Sequence, residues 1–513
     1  MPHRIRYFLP SIAQSLFVIV FLHLSLNVNV GRQLLVDCDT GFHIRAGEYM
    51  LETRSIPKHD PFSLFSPPMP WPTHEWLSDV LMAAINIISG LTGVVIFFIF
   101  IISITYSLLF KILRANEGNI IIDIILIVLV LVTSQMHWLA RPHIFSLLLF
   151  IAWYYVIDSF QNDRNNLLFL LPLVMLLWIN LHGGFILGFI LIVIYIAYNL
   201  EKLYISKNTD KELHKRKVKY LFFAAIASVL VSLANPKGFH TLLFPLEVVS
   251  NRLIMDNYGE FLSPNFHSAP FTPFRFFFLL MIAFLGTFKG KLNLIELAFI
   301  LIFTNMALLS ARFIPLFAII IAPILSKHGN IMLNNINNNF SNIIINKARA
   351  HESIDKYARG YIWPIIAILV VVGLAASNRI KFEFDEKIKP VNAVEFLKKE
   401  HIPGNMFNND EFGDYIIYSA YPQYKVFFDS RADIYGNEKL KDYMDVINMR
   451  RGWEKVLEKY NINWIILDSH SPLSQYLSMI KDWRIIYSDS VADIYVKDIN
   501  RNEYIINKYG SVK

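Results

Sequence analysis

The densest run of side chains able to do chemistry is Asp37-Cys38-Asp39-Thr40-Gly41-Phe42-His43, continued by Arg45, Gly47 and Glu48. It extends through Pro57-Lys58-His59-Asp60-Pro61-Phe62-Ser63 and closes with Trp71-Pro72-Thr73-His74-Glu75-Trp76. Acids at a membrane–water boundary suit general-base work, because partial desolvation lifts a carboxylate's proton affinity toward neutrality. A plainer reading has Asp39 capping a helix that begins near Gly41. For a single acid the plainer reading is preferred. Two acids, two histidines and an arginine converging on one membrane face shift the balance toward a site. Asp39, Asp37 and Glu75 are the candidate catalytic residues.

Other polar groups interrupt apolar runs at one common expected depth. They are Gln135-Met136-His137-Trp138 with Arg141-Pro142-His143, Trp178-Ile179-Asn180-Leu181-His182-Gly183-Gly184, Asn235-Pro236-Lys237-Gly238 and Ser310-Ala311-Arg312-Phe313-Ile314-Pro315. An arginine at the boundary can simply snorkel. Arg141 and Arg312, beside prolines on separate helices, could instead grip a phosphate with guanidinium forks. Candidate substrate-binding residues are therefore His43, His74, Arg141, His143, Asn180, His182 and Arg312. The histidines match no zinc spacing, the only cysteine is Cys38, and no metal ligand set is assigned. No phosphate-cradling loop, dinucleotide fingerprint or serine elbow is present, which removes the sequence basis for ATP-driven transport and α/β-hydrolase chemistry.

These groups must be held by membrane helices. The chain has 513 residues, 54% of them hydrophobic and 17% charged, with mean hydropathy +0.41. Soluble domains carry roughly a quarter charged residues. Apolar runs at about 7–30, 91–113, 119–136, 142–159, 166–179, 185–204, 219–233, 273–288, 292–309, 313–326 and 361–377 predict a mainly α, polytopic transmembrane bundle of about eleven spans. The first run reads as a retained signal anchor. Basic residues gather in alternate connections, above all Lys207, Lys211, Lys215, Arg216, Lys217 and Lys219. That alternation places the N-terminus in the cytoplasm and the C-terminus outside. The net charge of +7 is explained by orientation, and no nucleic-acid partner is expected.

The expected organisation is a transmembrane domain over 1–377, with long outer loops at about 31–90 and 234–272, and an extracytoplasmic α/β domain over 378–513. In the first loop, Phe42–Thr53 and Trp76–Ser89 have helical spacing, the latter amphipathic. In the last domain, helices are expected at Val391–Glu400, Lys439–Met449, Trp453–Tyr460 and Pro472–Ile480. Strands are expected at Tyr415–Tyr418, Lys425–Phe428, Trp464–Leu467, Arg484–Tyr487 and Ala492–Val496. The runs Asn408–Tyr415 and Phe428–Gly436 suit sugar recognition or strand-end turns, and the turn reading is at least its equal.

The first loop resembles the GT-C superfamily of polyprenyl-phosphate-sugar-dependent glycosyltransferases. Within it, the resemblance is to an uncharacterised bacterial branch reading D-x-D-T-x-x-H-x-x-x-G, P-x-x-D-P-F-S and H-E-W-L. Here these are Asp37 to Gly47, Pro57 to Ser63 and His74 to Leu77. Arg141-Pro142-His143, Asn180-x-His182-Gly183-Gly184, Asn235-Pro236-x-Gly238, Arg312-x-x-Pro315 and Phe428-Asp429-x-Arg431-Ala432-Asp433 look like that branch too. The resemblance implies a bacterial inner-membrane enzyme that takes a sugar from a lipid-phosphate carrier on the outer face. It implies a first-loop acid, Asp39 or Asp37, as base, and no cofactor beyond the lipid-linked donor. The acceptor is a glycan, a lipid or a protein. Gly41-Phe42 replaces the aromatic pair common before the histidine. Rival readings are a flippase for a lipid-linked saccharide and a non-catalytic envelope scaffold.

Overall fold

The computed structural model describes residues 5–71, 73–116, 118–205, 208–336 and 338–510, without the side chains of 5, 208, 209 and 340. Pro72 of the first loop, Lys207 of the basic connection and the residues before 5 lie outside the described set. All eleven expected apolar runs fall on helices, from Ile12–Leu26 to Ile362–Ala376. Length and hydropathy single out fewer spans. Among the described residues, six helices are long and apolar enough to cross a membrane: Trp76–Ala115, Ile120–His137, His143–Gln161, Gly183–Ile205, Ala269–Thr287 and Ala311–Asn335. The pair Ile12–Leu26 and Val28–Leu35, bent by 85°, makes up to seven. Leu170–Leu181, Leu294–Leu309 and Ile362–Ala376 are apolar but short. A helix of 12 residues rises only about 18 Å, against roughly 30 Å of hydrocarbon. Asn208–Ser232 opens with a charged stretch that dilutes its apolar half.

The chain divides into two compact units. One comprises Met1–Gly31, Ile96–Trp138 and Pro142–Lys381; the other comprises Arg32–Val95, Leu139–Arg141 and Phe382–Lys513. The second unit therefore joins the first long loop to the C-terminal residues. Backbone bonds make that joint: Val426 N–H donates to Phe62 O at 3.1 Å and Leu64 N–H to Val426 O at 2.9 Å. Phe382 N–H donates to Thr92 Oγ1 at 3.0 Å. Within the loop, Asp60 N–H to Met69 O (2.8 Å) and Trp71 N–H to Lys58 O (2.9 Å) close a hairpin.

The C-terminal sheet has four strands, β1 Asn405–Asn408, β2 Ile462–Asp468, β3 Trp483–Ser488 and β4 Ala492–Lys497, in the order β1-β2-β4-β3. β1 and β2 are parallel, and β4 is antiparallel to both β2 and β3. Helix Val391–Glu400 and strands β2, β3 and β4 match expectation. Tyr415–Tyr418 does not: it lies inside the helix Asp410–Ala420. Its buried Phe412, Tyr415, Ile416 and Ala420 recur at helical spacing, and Asp410 and Glu411 favour a helix N-terminus. The Ile416-Ile417 pair alone mimics a strand. Lys425–Phe428 is not a strand of the sheet, since Val426 pairs with the first loop instead. The sheet's fourth strand is β1, which the pattern did not announce. The helix expected from Lys439 starts at Ala432 and breaks at Gly436, φ 65°.

In the first loop the helix begins at Asp39 and runs to Thr53, with Cys38 at the cap position and no side-chain capping bond. The capping role considered for Asp39 is thus not the one it plays. Trp76–Ser89 continues into Trp76–Ala115 across a break at Gly90, φ 65°.

Candidate functional site

In the second unit, the segment Leu139–Arg141 is clipped to the start of the first loop. Ala140 N–H donates to Leu34 O at 2.8 Å, and Thr40 Oγ1 donates to Ala140 O at 3.0 Å. The clip delivers Arg141 between the two motif acids. Its Nη1 donates to Asp37 Oδ2 at 2.9 Å, and its Nη2 stands 2.8 Å from Asp39 Oδ2. The three side chains are 14–21% exposed, so their pairing is only partly screened by solvent. Asp37 Oδ1 is buried with no hydrogen-bond partner among the described residues.

One turn along the same helix, His43 Nδ1–H donates to Asp79 Oδ1 at 2.7 Å, and its Nε2 lies 4.0 Å from Glu75 Oε2. His74 Nε2 is 3.4 Å from Glu75 Oε1. Burial opposes a charge on His43, but the Asp79 hydrogen bond and the charges of Asp79, Glu75 and Asp39 outweigh it and raise its pKa. An imidazole so held takes up a proton more readily than a free one, which makes it less suited to act as the base. The helices meet closely enough here to require Gly47, where a Cβ would stand 1.9 Å from Asp79 O.

The C-terminal residues supply groups that the sequence reading did not assign. Arg431, 7% exposed at its side chain, donates from Nε and Nη2 to both oxygens of Asp429 (2.9 and 2.6 Å) and from Nη1 to Asp60 Oδ1 (2.9 Å). Its guanidinium lies 4.6, 5.4 and 4.9 Å from the ring centres of Phe42, Phe62 and Trp71. Burial favours a neutral Asp60, but Arg431 and the amides of Phe62 and Ser63 overcome it and lower the carboxyl's pKa. Asp414 is buried, and its pKa is driven well up by burial and by the charges of Asp39 and Asp429. Asp433 is raised too, by burial first, while the nearby charge of His74 opposes the rise.

In the first unit, the candidates fall into separate sets. His143 Nε2 is 2.8 Å from His137 O, and the His143 and His182 rings are 6.4 Å apart. Trp178 Nε1–H donates to Ser146 Oγ at 2.7 Å, and Ser146 Oγ lies 2.6 Å from His182 Nδ1, which also accepts from Gly184 N–H at 3.0 Å. Asn180 Oδ1 accepts from Asn235 Nδ2 at 3.1 Å, tying together two of the sequence motifs. Arg312 Nη1 is 3.4 Å from Glu260 Oε1, with its guanidinium 4.6 Å from the Phe261 ring centre.

The fold has a solved counterpart. The chain matches the apo-form crystal structure of the Archaeoglobus fulgidus oligosaccharyltransferase with a TM-score of 0.56 and 12% identity, over 95% of this chain and 74% of that one. At that identity the likeness shows the fold alone. No family model and no curated protein matches the sequence.

The structure thus gathers Asp37, Asp39 and Arg141 into one cluster, and His43, His74 and Glu75 into a second group of the same unit. Among the described residues, no three or more His, Cys, Asp or Glu side chains form a group that could hold a metal ion. Asp79 escaped notice because it sits in an amphipathic helix with no motif of its own. Only its three-residue spacing from the Trp76 helix start, among apolar neighbours, marked it as a buried acid.

Proposed function

We propose that this chain is a membrane glycosyltransferase that moves a sugar from a polyprenyl-phosphate carrier to an acceptor in the cell envelope. The observation that carries this reading is Arg141 forked between Asp37 and Asp39, on a chain with the fold of an oligosaccharyltransferase. Asp39 accepts the proton of the acceptor hydroxyl. The acceptor oxygen attacks the anomeric carbon, the bond from that carbon to the phosphate oxygen breaks, and the lipid phosphate leaves with the electron pair. One displacement inverts the anomeric centre.

Arg141 gives the acids a resting state. While its fork is spent on carboxylates, Asp39 is a weak base. A donor phosphate is a competing bidentate partner for the same guanidinium. When the phosphate takes an arm of the fork, Asp39 is released at the moment its proton acceptor is needed, and charge developing on the leaving phosphate meets Arg141. Asp37 retains the other arm, and His43, oriented by Asp79, holds Glu75 and balances the local negative charge. His143, Asn180, His182 and Arg312 remain proposed substrate-binding residues. The reading further places the protein in a bacterial inner membrane, with about eleven passes, the N-terminus cytoplasmic and the C-terminal domain outside, in line with the alternation of basic residues.

The test is a transfer assay on the solubilised full chain with a panel of polyprenyl-phosphate sugars and envelope acceptors. Release of polyprenyl phosphate by the wild type and none by Asp39→Asn supports the proposal. Movement of intact lipid-linked sugar across vesicles without release would make the chain a flippase, and neither release nor movement would leave a scaffold.

A further inference from the structure

Asp414 lies on the helix Asp410–Ala420, 1% exposed. Two close approaches fix that helix. A Cβ on Gly413 would stand 2.0 Å from Phe428 O, and one on Gly41 would stand 2.8 Å from Tyr418 Cβ. Tyr418 is one turn beyond Asp414, so both share the face that meets the Asp39–Thr53 helix. Asp414 Oδ1 accepts from Ser430 N–H at 3.3 Å and Ser430 Oγ at 3.0 Å. Oδ2 is buried with no hydrogen-bond partner among the described residues. A side chain needed only to hold Ser430 has no use for a second buried oxygen, which costs about 1–3 kcal/mol unsatisfied.

The titratable groups around it are Asp39 and the neutral, buried thiol of Cys38 on the first-loop side and Asp429 on the Ser430 side. Each has its own cation at one remove: Arg141 on Asp39, Arg431 on Asp429, and Lys389, paired with Glu411, facing Cys38. No cation lies among the largest influences on Asp414 itself, whose burial among like charges favours its acid form. A buried acid whose surroundings favour the protonated form donates a hydrogen bond rather than accepting a proton.

We propose that Asp414, in its acid form, is a substrate-binding residue of the Asp39 site, its Oδ2–H donating to an oxygen of the lipid-linked sugar. This rests on the glycosyltransferase reading and adds a recognition group from the C-terminal residues to it. A carboxylate at this position would repel a phosphodiester. A carboxylic acid offers it, or a sugar hydroxyl, one donor. Donor binding is therefore coupled to a single proton.

The experiment measures binding of a panel of farnesyl-phosphate hexoses to the solubilised full chain between pH 5 and 9. These phosphodiesters have no second ionisation in that range. Wild-type affinity is expected to fall about tenfold per pH unit above the titration of Asp414, as one-proton linkage requires. Asp414→Asn, an uncharged near-isostere, gives a flat profile lying between the wild type's acid and alkaline limits. Asp414→Ala binds about tenfold more weakly at pH 5, the scale of one lost hydrogen bond. An Asn variant that keeps the wild-type slope overturns the proposal alone, since the wild type still binds. A folded wild type that binds no member of the panel overturns the glycosyltransferase reading and this proposal with it.

Discussion

Replacing Arg431 with methionine removes one guanidinium and leaves two carboxylates, Asp60 and Asp429, both fully buried at their side chains. Methionine fills most of the space against Phe42, Phe62 and Trp71, so the loss is electrostatic rather than a cavity. Stripping the cation from a buried pair costs about 3–5 kcal/mol, because the surviving charges stay desolvated. The second unit spans 64, 3 and 132 residues in its segments; at that size each kcal/mol moves the midpoint by about 2–4 °C. The expected fall is roughly 6–20 °C, read by thermal denaturation of the solubilised chain together with protease cleavage within 54–72. Neutralising both acids as well (Arg431→Met with Asp60→Asn and Asp429→Asn) should recover more than half of it, since the penalty lies in unpaired charge. The pH dependence follows with a definite sign. The folded pKa of Asp60 lies below its ordinary 3.8, so its stabilisation is present above that value and lost as pH falls through the lower folded pKa. Arg431→Met should move the loss to higher pH. A single variant that melts within about 1 kcal/mol of wild type, or a triple variant no better than the single, refutes the reasoning.

Two further outcomes test the surroundings of the acids. Gly47→Ala places a methyl 1.9 Å from Asp79 O, a clash with backbone that cannot be relieved by a rotamer. Its expected cost exceeds about 3 kcal/mol, at the upper end of overpacking, seen as loss of monodisperse protein on size exclusion. The raised pKa of His43 implies stability present below its unfolded value, 6.5, and lost as pH rises through the folded one. Melting of the wild type should fall across that upper range, and His43→Gln should remove the slope.

The acids and Arg141 were visible in the sequence because motif residues that do chemistry stand out against an apolar background. Their arrangement was not. Arg141 appeared as a phosphate clamp, whereas the structure spends its fork on Asp37 and Asp39. The segment Phe428–Gly436 read at least as well as a turn, and its start is a connection in which Asp429 Oδ1 accepts from Arg431 N–H at 3.0 Å, while a helix begins at Ala432. What local pattern cannot show is that Arg431 reaches Asp60, 371 positions away. Likewise, the apolar runs located the helices, while the number that cross a membrane depends on lengths that short helices such as Leu170–Leu181 do not meet unaided.

The most direct measurement compares envelope glycans, glycolipids and glycoproteins by mass in a deletion strain carrying either the wild-type chain or Asp39→Asn at equal membrane abundance. A sugar mass that the wild type restores and Asp39→Asn does not is the predicted result. The same mass restored by both would contradict the assignment of Asp39 as the base.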